Sequence, residues 1–414
     1  MKNNRKQPAK TKVCVLAQLC KFIPSHATTK IARELGQEKY ARKFSAWSHV
    51  VSLLFAQLCH SISLADVCDA TALRLSRLGM LRGATPPVRN TLSHANTRRD
   101  PALMERLFWV TLHHLEALAP RFGSSGRYLR LPRRFKRAIH AIDSSTIALV
   151  ASCMDWAKHR RRKAAAKLHL RLNLQSFLPG FAIVEEASHH DNSRARQLCA
   201  GLMQAEIAIF DKAYVDFAHL LELAQRGVFW VTRSKKNFDC RVSRKLPADK
   251  AKGIVRDQII ELKGAKSKSD YPIFMRRVKA WVQVDGKQVE MEFLTNNFDW
   301  AASSVAELYQ ARWGIEVFFK QIKQTLKLAG FIGYSKNAIQ WQVWAALLVW
   351  LLARFQAFLS SWPHSFCRLM ALMRSHAWEC ISVLDLLCFH GTAGALPRMM
   401  ATADQAYLPG LQPR

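Results

Sequence analysis

From about residue 43 to 130 the apolar positions come in long blocks without strand alternation. "KFSAWSHVVSLLFAQLCHSISLADVCDA" and "DPALMERLFWVTLHHLEALA" predict helices, the second opened by an Asp-Pro start. Between them "LRGATPPVRNTLSHANTRRD" is polar and broken by Gly and Pro, which predicts loop and short helix. From residue 137 the period changes. "RAIHAID" is a β-like run ending at Asp143, "KLHLRLNLQ" sets Leu168, Leu170, Leu172 and Leu174 in strict alternation, and "GFAIVEEA" predicts another strand. A helical "SRARQLCAGLMQ" leads to a buried strand, "EIAIF", which stops at Asp211; helix "YVDFAHLLELAQRG" and strand "VFWVTR" follow. That order predicts a mixed α/β sheet covered by helices. Residues 234–297 return to β composition, with an Asp-Gly hairpin turn at Asp285 and Gly286, and read as an insertion. "YQARWGIEVFFKQIKQTLKL", Tyr309 to Leu328, is helical again. "VWAALLVWLLA", Val343 to Ala353, falls short of the roughly 20 residues of a spanning helix and predicts a core helix.

A chain of 414 residues suggests two or three domains. The pattern divides it into a helical N-terminal domain (1–130), a first core segment (131–233), the β-rich insertion (234–297), a second core segment (298–365) and a C-terminal segment (366–414) without an interpretable motif. Charge adds what patterning cannot. Sixty-two Lys and Arg against 30 Asp and Glu give a formal net charge of +32, which in a chain that is half apolar points to a polyanionic partner, nucleic acid first. An anionic membrane surface would call for a basic amphipathic helix or a spanning segment, and no membrane partner is expected. The N-terminus lacks a signal-peptide core, and none of the ten cysteines forms a C-x-x-C pair. Cys380, Cys388 and His390 do not match zinc-finger spacing, so the expectation is a cytoplasmic protein with reduced thiols.

Against this cationic background a few carboxylates stand out. On a helix starting at Tyr309, Tyr309, Arg312, Glu316, Lys320, Lys323 and Lys327 share one polar stripe within about 40° of Glu316. Exposed i, i+4 pairing with Arg312 and Lys320 accounts for Glu316 by itself. Asp143 and Asp211, however, each end an apolar run, where an unpaired buried carboxylate costs several kcal/mol unless something positive satisfies it. Two strand-end aspartates and one helix glutamate supply the hard oxygen ligands that Mg²⁺ accepts; turn or cap roles are the alternative.

The spacing Y-x-x-R-x-x-x-E-x-x-x-x-x-x-K, here Tyr309, Arg312, Glu316 and Lys323, resembles the signature of the insertion sequence 4 family of bacterial DDE transposases. "AIDSSTI" around Asp143 and "IFDKAY" around Asp211 resemble that family's two aspartate motifs, with Lys212 and Ala213 where the family often has Arg and Gly. The resemblance, spanning roughly residues 40 to 360, implies a ribonuclease H-like mixed sheet core with a β-rich insertion and a helical N-terminal domain that helps bind the element's ends. It implies a DNA transposase that cleaves and joins phosphodiesters with Asp143, Asp211 and Glu316 as catalytic metal ligands. Two Mg²⁺ ions, with Mn²⁺ as a substitute, would serve each site. Tyr309, Arg312 and Lys323 would bind DNA phosphate. The partners implied are double-stranded DNA, as terminal inverted repeats and target, and a second copy of the chain in a homodimeric synaptic complex; the setting is the bacterial cytoplasm, associated with the nucleoid. A catalytically silent DNA-binding regulator and a metal-dependent nuclease without strand transfer are the alternatives.

Other residues are weighed against structural roles. Trp313 is placed at the edge of the site, and Trp281 or Trp300 is a candidate to hold a flipped base. His189, His190 and Asp191 could approach from the adjacent strand or serve as structural hydrogen-bonding groups, and Glu185 and Glu186 are rival ligands without flanking cations. The basic runs "RYLRLPRRFKR" and "KHRRRK" flank the first aspartate strand and are suited to phosphate contacts.

Overall fold

The computed structural model of the chain describes residues 7–37, 43–124, 135–149, 153–160, 163–187, 191–235, 238–284, 286–325 and 330–390. Its strands are β1 (Ile139–Leu149), β2 (Lys158–Arg160), β3 (Lys163–Asn173), β4 (Leu178–Glu186), β5 (Ile207–Phe210), β6 (Phe229–Arg233), β7 (Cys240–Lys245), β8 (Ile254–Leu262), β9 (Met275–Val284) and β10 (Lys287–Thr295). All lie in one sheet, ordered β2-β3-β1-β5-β6-β10-β9-β8-β7, with β4 also paired to β3. β1 runs antiparallel to β3 and parallel to β5, and β5 is parallel to β6. The sequence β4-β3-β1-β5-β6, antiparallel on one side of β1 and parallel on the other, is ribonuclease H-like.

Among the described residues eight helices precede the sheet: α1 (Val15–Cys20), α2 (Ala27–Glu34), α3 (Ala46–Cys59), α4 (Leu64–Ala72), α5 (Leu75–Gly79), α6 (Arg89–Arg98), α7 (Ala102–Leu118) and α8 (Pro120–Ser124). Their starts follow local chemistry. Ser45 Oγ accepts the Ser48 N–H at 3.0 Å to open α3, and Asp100 Oδ1 accepts the Ala102 N–H at 2.9 Å to open α7. Within and after the sheet come α9 (Met154–Ala157), α10 (Ala195–Cys199), α11 (Phe217–Gln225), α12 (Ala265–Asp270), α13 (Ala302–Ala311), α14 (Trp313–Lys320), α15 (Lys336–Leu359), α16 (Phe366–Ser375) and α17 (Val383–His390). α15 is long and apolar enough to cross a membrane, but 89% of its most apolar stretch is buried inside the protein. It runs through the middle of a core built from α3, α7 and the leucine face of β3.

The alternation in "KLHLRLN" has an unforeseen outcome. Leu168, Leu170 and Leu172 point into the large core shared with the N-terminal helices and α15. Alternation of this kind ordinarily marks a strand with one wet face. Here Lys167, His169 and Arg171, on the other face, are also buried, beneath a 3₁₀ turn at Asp191–Arg194 and α10.

Two further elements differ from the sequence reading. Asp143 does not end its strand. Pairing with β5 stops at Ile142 opposite Phe210, but pairing with β3 carries β1 on to Leu149, so Asp143 sits where one partner is lost and the other kept. The stretch after Tyr309 is not one regular helix: it passes from α13 through Arg312 into α14 and then into a π-helical turn, Gln321–Thr325. Trp350 Nε1 donates to Gln321 Oε1 at 2.8 Å and holds that turn against α15.

Strands β7 to β10 continue the same sheet, because β10 pairs with β6. Val284 pairs with Lys287 across a two-residue connection in which Gly286 has φ +74°, a left-handed conformation that favours glycine; Asp285 lies outside the described residues. A buried fork ties this region together. Arg276 Nε and Nη2 donate to the two oxygens of Asp257 at 2.8 and 2.6 Å, and its Nη1 reaches the carbonyls of Phe298 and Trp300 just before α13.

Candidate active site

The pleat of β1 turns Ile142 toward the core formed with α11, and Asp143 toward α14 on the other face. Asp143 Oδ1 accepts the Ser144 N–H at 2.8 Å, and Oδ2 accepts Arg312 Nη1 at 2.6 Å. Burial raises the Asp143 pKa to about 6; Arg312 and the Ser144 N–H oppose the rise, while Asp211 and Glu316 add to it. The three carboxylates, from β1, the end of β5 and α14, thus lie in one electrostatic neighbourhood.

Asp211 follows β5 directly and opens the 3₁₀ turn Lys212–Tyr214. Its Oδ1 accepts the Tyr309 hydroxyl at 3.1 Å. Tyr309 is buried, with its ring 4.9 Å from that of Phe293, and burial pushes its phenol up to about 12, with Asp211 adding to the shift and Arg312 opposing it. Arg312 is the hub. Its Nη2 donates to Glu316 Oε1 at 2.9 Å, its guanidinium lies 5.5 Å from the Tyr309 ring centre, and its Nε is buried without a hydrogen-bond partner among the described residues. Burial works against its charge, yet Asp143, Tyr309, Glu316 and Asp211 together hold its pKa above the ordinary value. Glu316 itself is about half exposed.

Lys323, on the π turn, donates to the carbonyl of Thr146, three residues beyond Asp143 on β1, and burial lowers its pKa. Tyr309, Arg312 and Lys323 therefore point their polar atoms at the carboxylates and at the strand carrying Asp143. Sequence spacing gives the shared stripe but not these partners.

Other candidates fall elsewhere. Glu185 accepts a fork from Arg194, and Glu186 pairs with Lys336 at 3.5 Å. Trp300 packs its ring 5.3 Å from Phe135 and 5.2 Å from Phe229, Trp281 is about half exposed on β9, and Trp313 is partly buried at the start of α14. His189, His190, Lys327 and residues 127–134 lie outside the described residues, as do the side chains of "KHRRRK". Sequence reasoning passed over Ser144, Lys167, His169 and Tyr214, which line a buried polar cluster with Asp191 behind β1. The polar half of the "KLHLRLN" alternation was the available signal.

The donor set is made of oxygens only, and its charge is offset only in part by one guanidinium, which fits hard divalent cations. Among the described residues no three His, Cys, Asp or Glu side chains already stand arranged around a common point. Carboxylates on the central strands of such a sheet, beside a helix that carries a third, are the kind of groups that could hold metal ions for phosphoryl transfer.

Comparison with known proteins narrows this class. Residues 134–352 match the family model for the transposase DDE domain, and residues 11–81 match a domain of unknown function. The transposase-like protein y4zB of Sinorhizobium fredii is 31% identical over 275 residues, 66% of this chain and 72% of that one. The transposase-like protein of insertion sequence element IS5377 of Geobacillus stearothermophilus is 25% identical over 58% of this chain and 62% of its own. Transposase InsG for insertion sequence element IS4 of Escherichia coli is 26% identical over 46% of this chain and 43% of its own. The chain belongs to the DDE transposase family: it is a DNA transposase of the insertion-sequence type. Enzymes of this family act on DNA and use divalent metal ions.

Proposed function

We propose that this transposase binds the terminal inverted repeats of its element as double-stranded DNA, cleaves at their ends and joins the freed 3′ hydroxyl to target DNA. In this reading Asp143, Asp211 and Glu316 are the catalytic carboxylates and hold two Mg²⁺ ions, with Mn²⁺ able to replace them. The supporting observation is that Asp143 and Glu316 meet on one buried guanidinium, with Asp211 beside them and held by the Tyr309 hydroxyl. Divalent ions held by these carboxylates would supply activation of the attacking oxygen and stabilisation of the leaving one.

The chain's own residues do the rest. Arg312 is the internal counter-ion of the acids; on loading, its planar fork turns from carboxylate to the phosphate beside the scissile bond, a geometry it matches equally well. Tyr309, buried beside Phe293, holds Asp211 in place through its hydroxyl, the polar group it has to offer near the phosphate. Lys323, tethered to β1, supplies a point charge on the same stripe. The helices before β1 contribute binding to the element's ends, and two copies act together as a homodimer on paired ends, in the cytoplasm at the nucleoid.

Asp143→Asn, Asp211→Asn and Glu316→Gln are each expected to abolish cleavage of an end duplex while leaving its binding largely intact. Appreciable Mg²⁺-dependent cleavage by any one of them removes that residue from the site. A joining assay with target plasmid separates strand transfer from simple nuclease action.

A further inference from the structure

Behind Asp143, on the opposite face of β1, lies a buried polar cluster for which the catalytic reading has no use. Ser144 Oγ donates to Asp191 Oδ1 at 2.6 Å, and the same oxygen accepts Lys167 Nζ at 3.2 Å. His169, fully buried, has Nδ1 3.4 Å from the Tyr214 hydroxyl and Nε2 3.1 Å from Glu185 Oε1. Glu185 is held in turn by the Arg194 fork, at 2.9 and 3.0 Å from Nε. The cluster draws one or more members from β1, β3, β4, the Asp191–Arg194 turn and the turn after β5.

Stability alone is a poor reason for such a cluster. Buried ion pairs roughly break even against apolar side chains of similar volume, and half-satisfied networks are worse. Its position is more telling. Ser144 gives its N–H to Asp143 Oδ1 and its hydroxyl to Asp191, so one residue couples the carboxylate on one face of β1 to the cluster on the other. Tyr214 closes the 3₁₀ turn that Asp211 opens, with its N–H on the Asp211 carbonyl at 3.0 Å, and its hydroxyl lies against His169. The residues beside both aspartates therefore end in the same buried cluster.

We propose that Asp191, with Lys167 Nζ on its Oδ1 and His169 Nδ1 3.8 Å from the same oxygen, is a positioning residue that fixes Ser144 directly and Tyr214 by way of His169, and through them holds Asp143 and Asp211 at the mutual placement a divalent cation requires. The proposal rests on Asp143 and Asp211 being the catalytic pair. Lys167 donates to the same Asp191 oxygen that accepts Ser144 Oγ; His169 keeps the Tyr214 end of the brace in register with it. Neither touches DNA or the reacting atoms. Groups that orient metal ligands in this manner typically change metal affinity or activity by 10- to 100-fold when removed.

The test is Mn²⁺ binding to the full chain without DNA, read from the electron paramagnetic resonance signal of free Mn²⁺, beside thermal denaturation without metal. Asp191→Ala and Ser144→Ala are expected to raise the half-saturating Mn²⁺ concentration about 10- to 100-fold. Asp191→Asn, which retains an acceptor oxygen for Ser144, is expected to recover most of that loss. Binding equal to wild type in folded Asp191→Ala and Ser144→Ala overturns the proposal, as does an Asn variant no better than Ala. If Asp191→Ala fails to fold, Ser144→Ala, which removes a single hydroxyl, decides alone. Asp143→Asn is the control. If it binds Mn²⁺ like wild type, the catalytic assignment itself fails; if it loses binding while the other variants do not, only the positioning role fails.

Discussion

Replacing Arg312 with Ala sets folding against chemistry at a single position. The change removes a 2.6 Å contact to Asp143 and a 2.9 Å contact to Glu316. The Glu316 arm counts for little, because that side chain is 54% exposed and an i, i+4 pair in water contributes only about 0.3–0.5 kcal/mol. The Asp143 arm is different: the two side chains are 9% and 20% exposed, and stranding one charge of a buried pair costs up to about 3–5 kcal/mol. Asp143 has a way out. Its pKa is already raised to about 6, and losing the guanidinium that opposes the rise pushes it higher, so near neutral pH the acid takes up a proton. That relief limits the net loss to about 1–3 kcal/mol, a fall in melting temperature of roughly 1–4 °C for a chain of this size.

Metal should reverse part of that loss. Without their internal counter-ion the three acids gain more from Mn²⁺, so the variant's melting temperature should climb more steeply with Mn²⁺ than that of wild type. Single-turnover cleavage should fall about 10²- to 10³-fold, the usual effect of deleting one donor aimed at transition-state charge. Arg312→Lys should regain part of the stability but little of the rate, since an ammonium cannot fork between two acceptors. The assays are differential scanning fluorimetry across a Mn²⁺ titration and rapid-quench cleavage. An Arg312→Ala protein with unchanged metal-free melting, and no greater rise with Mn²⁺, refutes the counter-ion role.

Asp257→Ala strands Arg276, whose remaining hydrogen bonds among the described residues go to the Phe298 and Trp300 carbonyls, and is expected to cost about 3–5 kcal/mol in urea unfolding; Asp257→Leu with Arg276→Met should recover most of it. Burial lowers the His49 pKa to about 3 despite its hydrogen bond to Asn96, so between pH 6.5 and 3 the unfolded chain binds a proton that the folded chain refuses. Stability should therefore fall as pH drops through that window, by up to about 1.4 kcal/mol per unit, with His169, held near 4, acting in the same direction. In His49→Gln the slope measured by urea titration at several pH values should flatten, and an unchanged slope would remove His49 as its source.

Much of this fold could be read from periodicity because its elements are local. The β5 strand "EIAIF", the hairpin around Gly286 and the buried α15 follow from runs of apolar residues and turn chemistry. The extent of β1 could not be read, because its last residues are held by β3, a partner chosen by topology and not by local sequence. The π turn at Gln321–Thr325 was equally hidden: an angle of 100° per residue presupposes the regular helix that Trp350, a residue of α15, helps to interrupt. At the site the acids and their neighbours could be listed, but not who touches whom. Arg312 facing inward is decided by burial between two carboxylates more than 160 residues apart in the chain, and the polar side of β3 is buried only because the Asp191–Arg194 turn and α10 cover it.

The leucine side of β3 and α15 meets α3 and α7 in one continuous apolar interior. Neither the leading helices nor the sheet can be lifted out cleanly: a fragment starting near residue 135 would carry a bare greasy slab, and the complementary fragment would lose the pillar it leans on. Either fragment expressed by itself should thus be insoluble, since each exposes the apolar surface that the other covers.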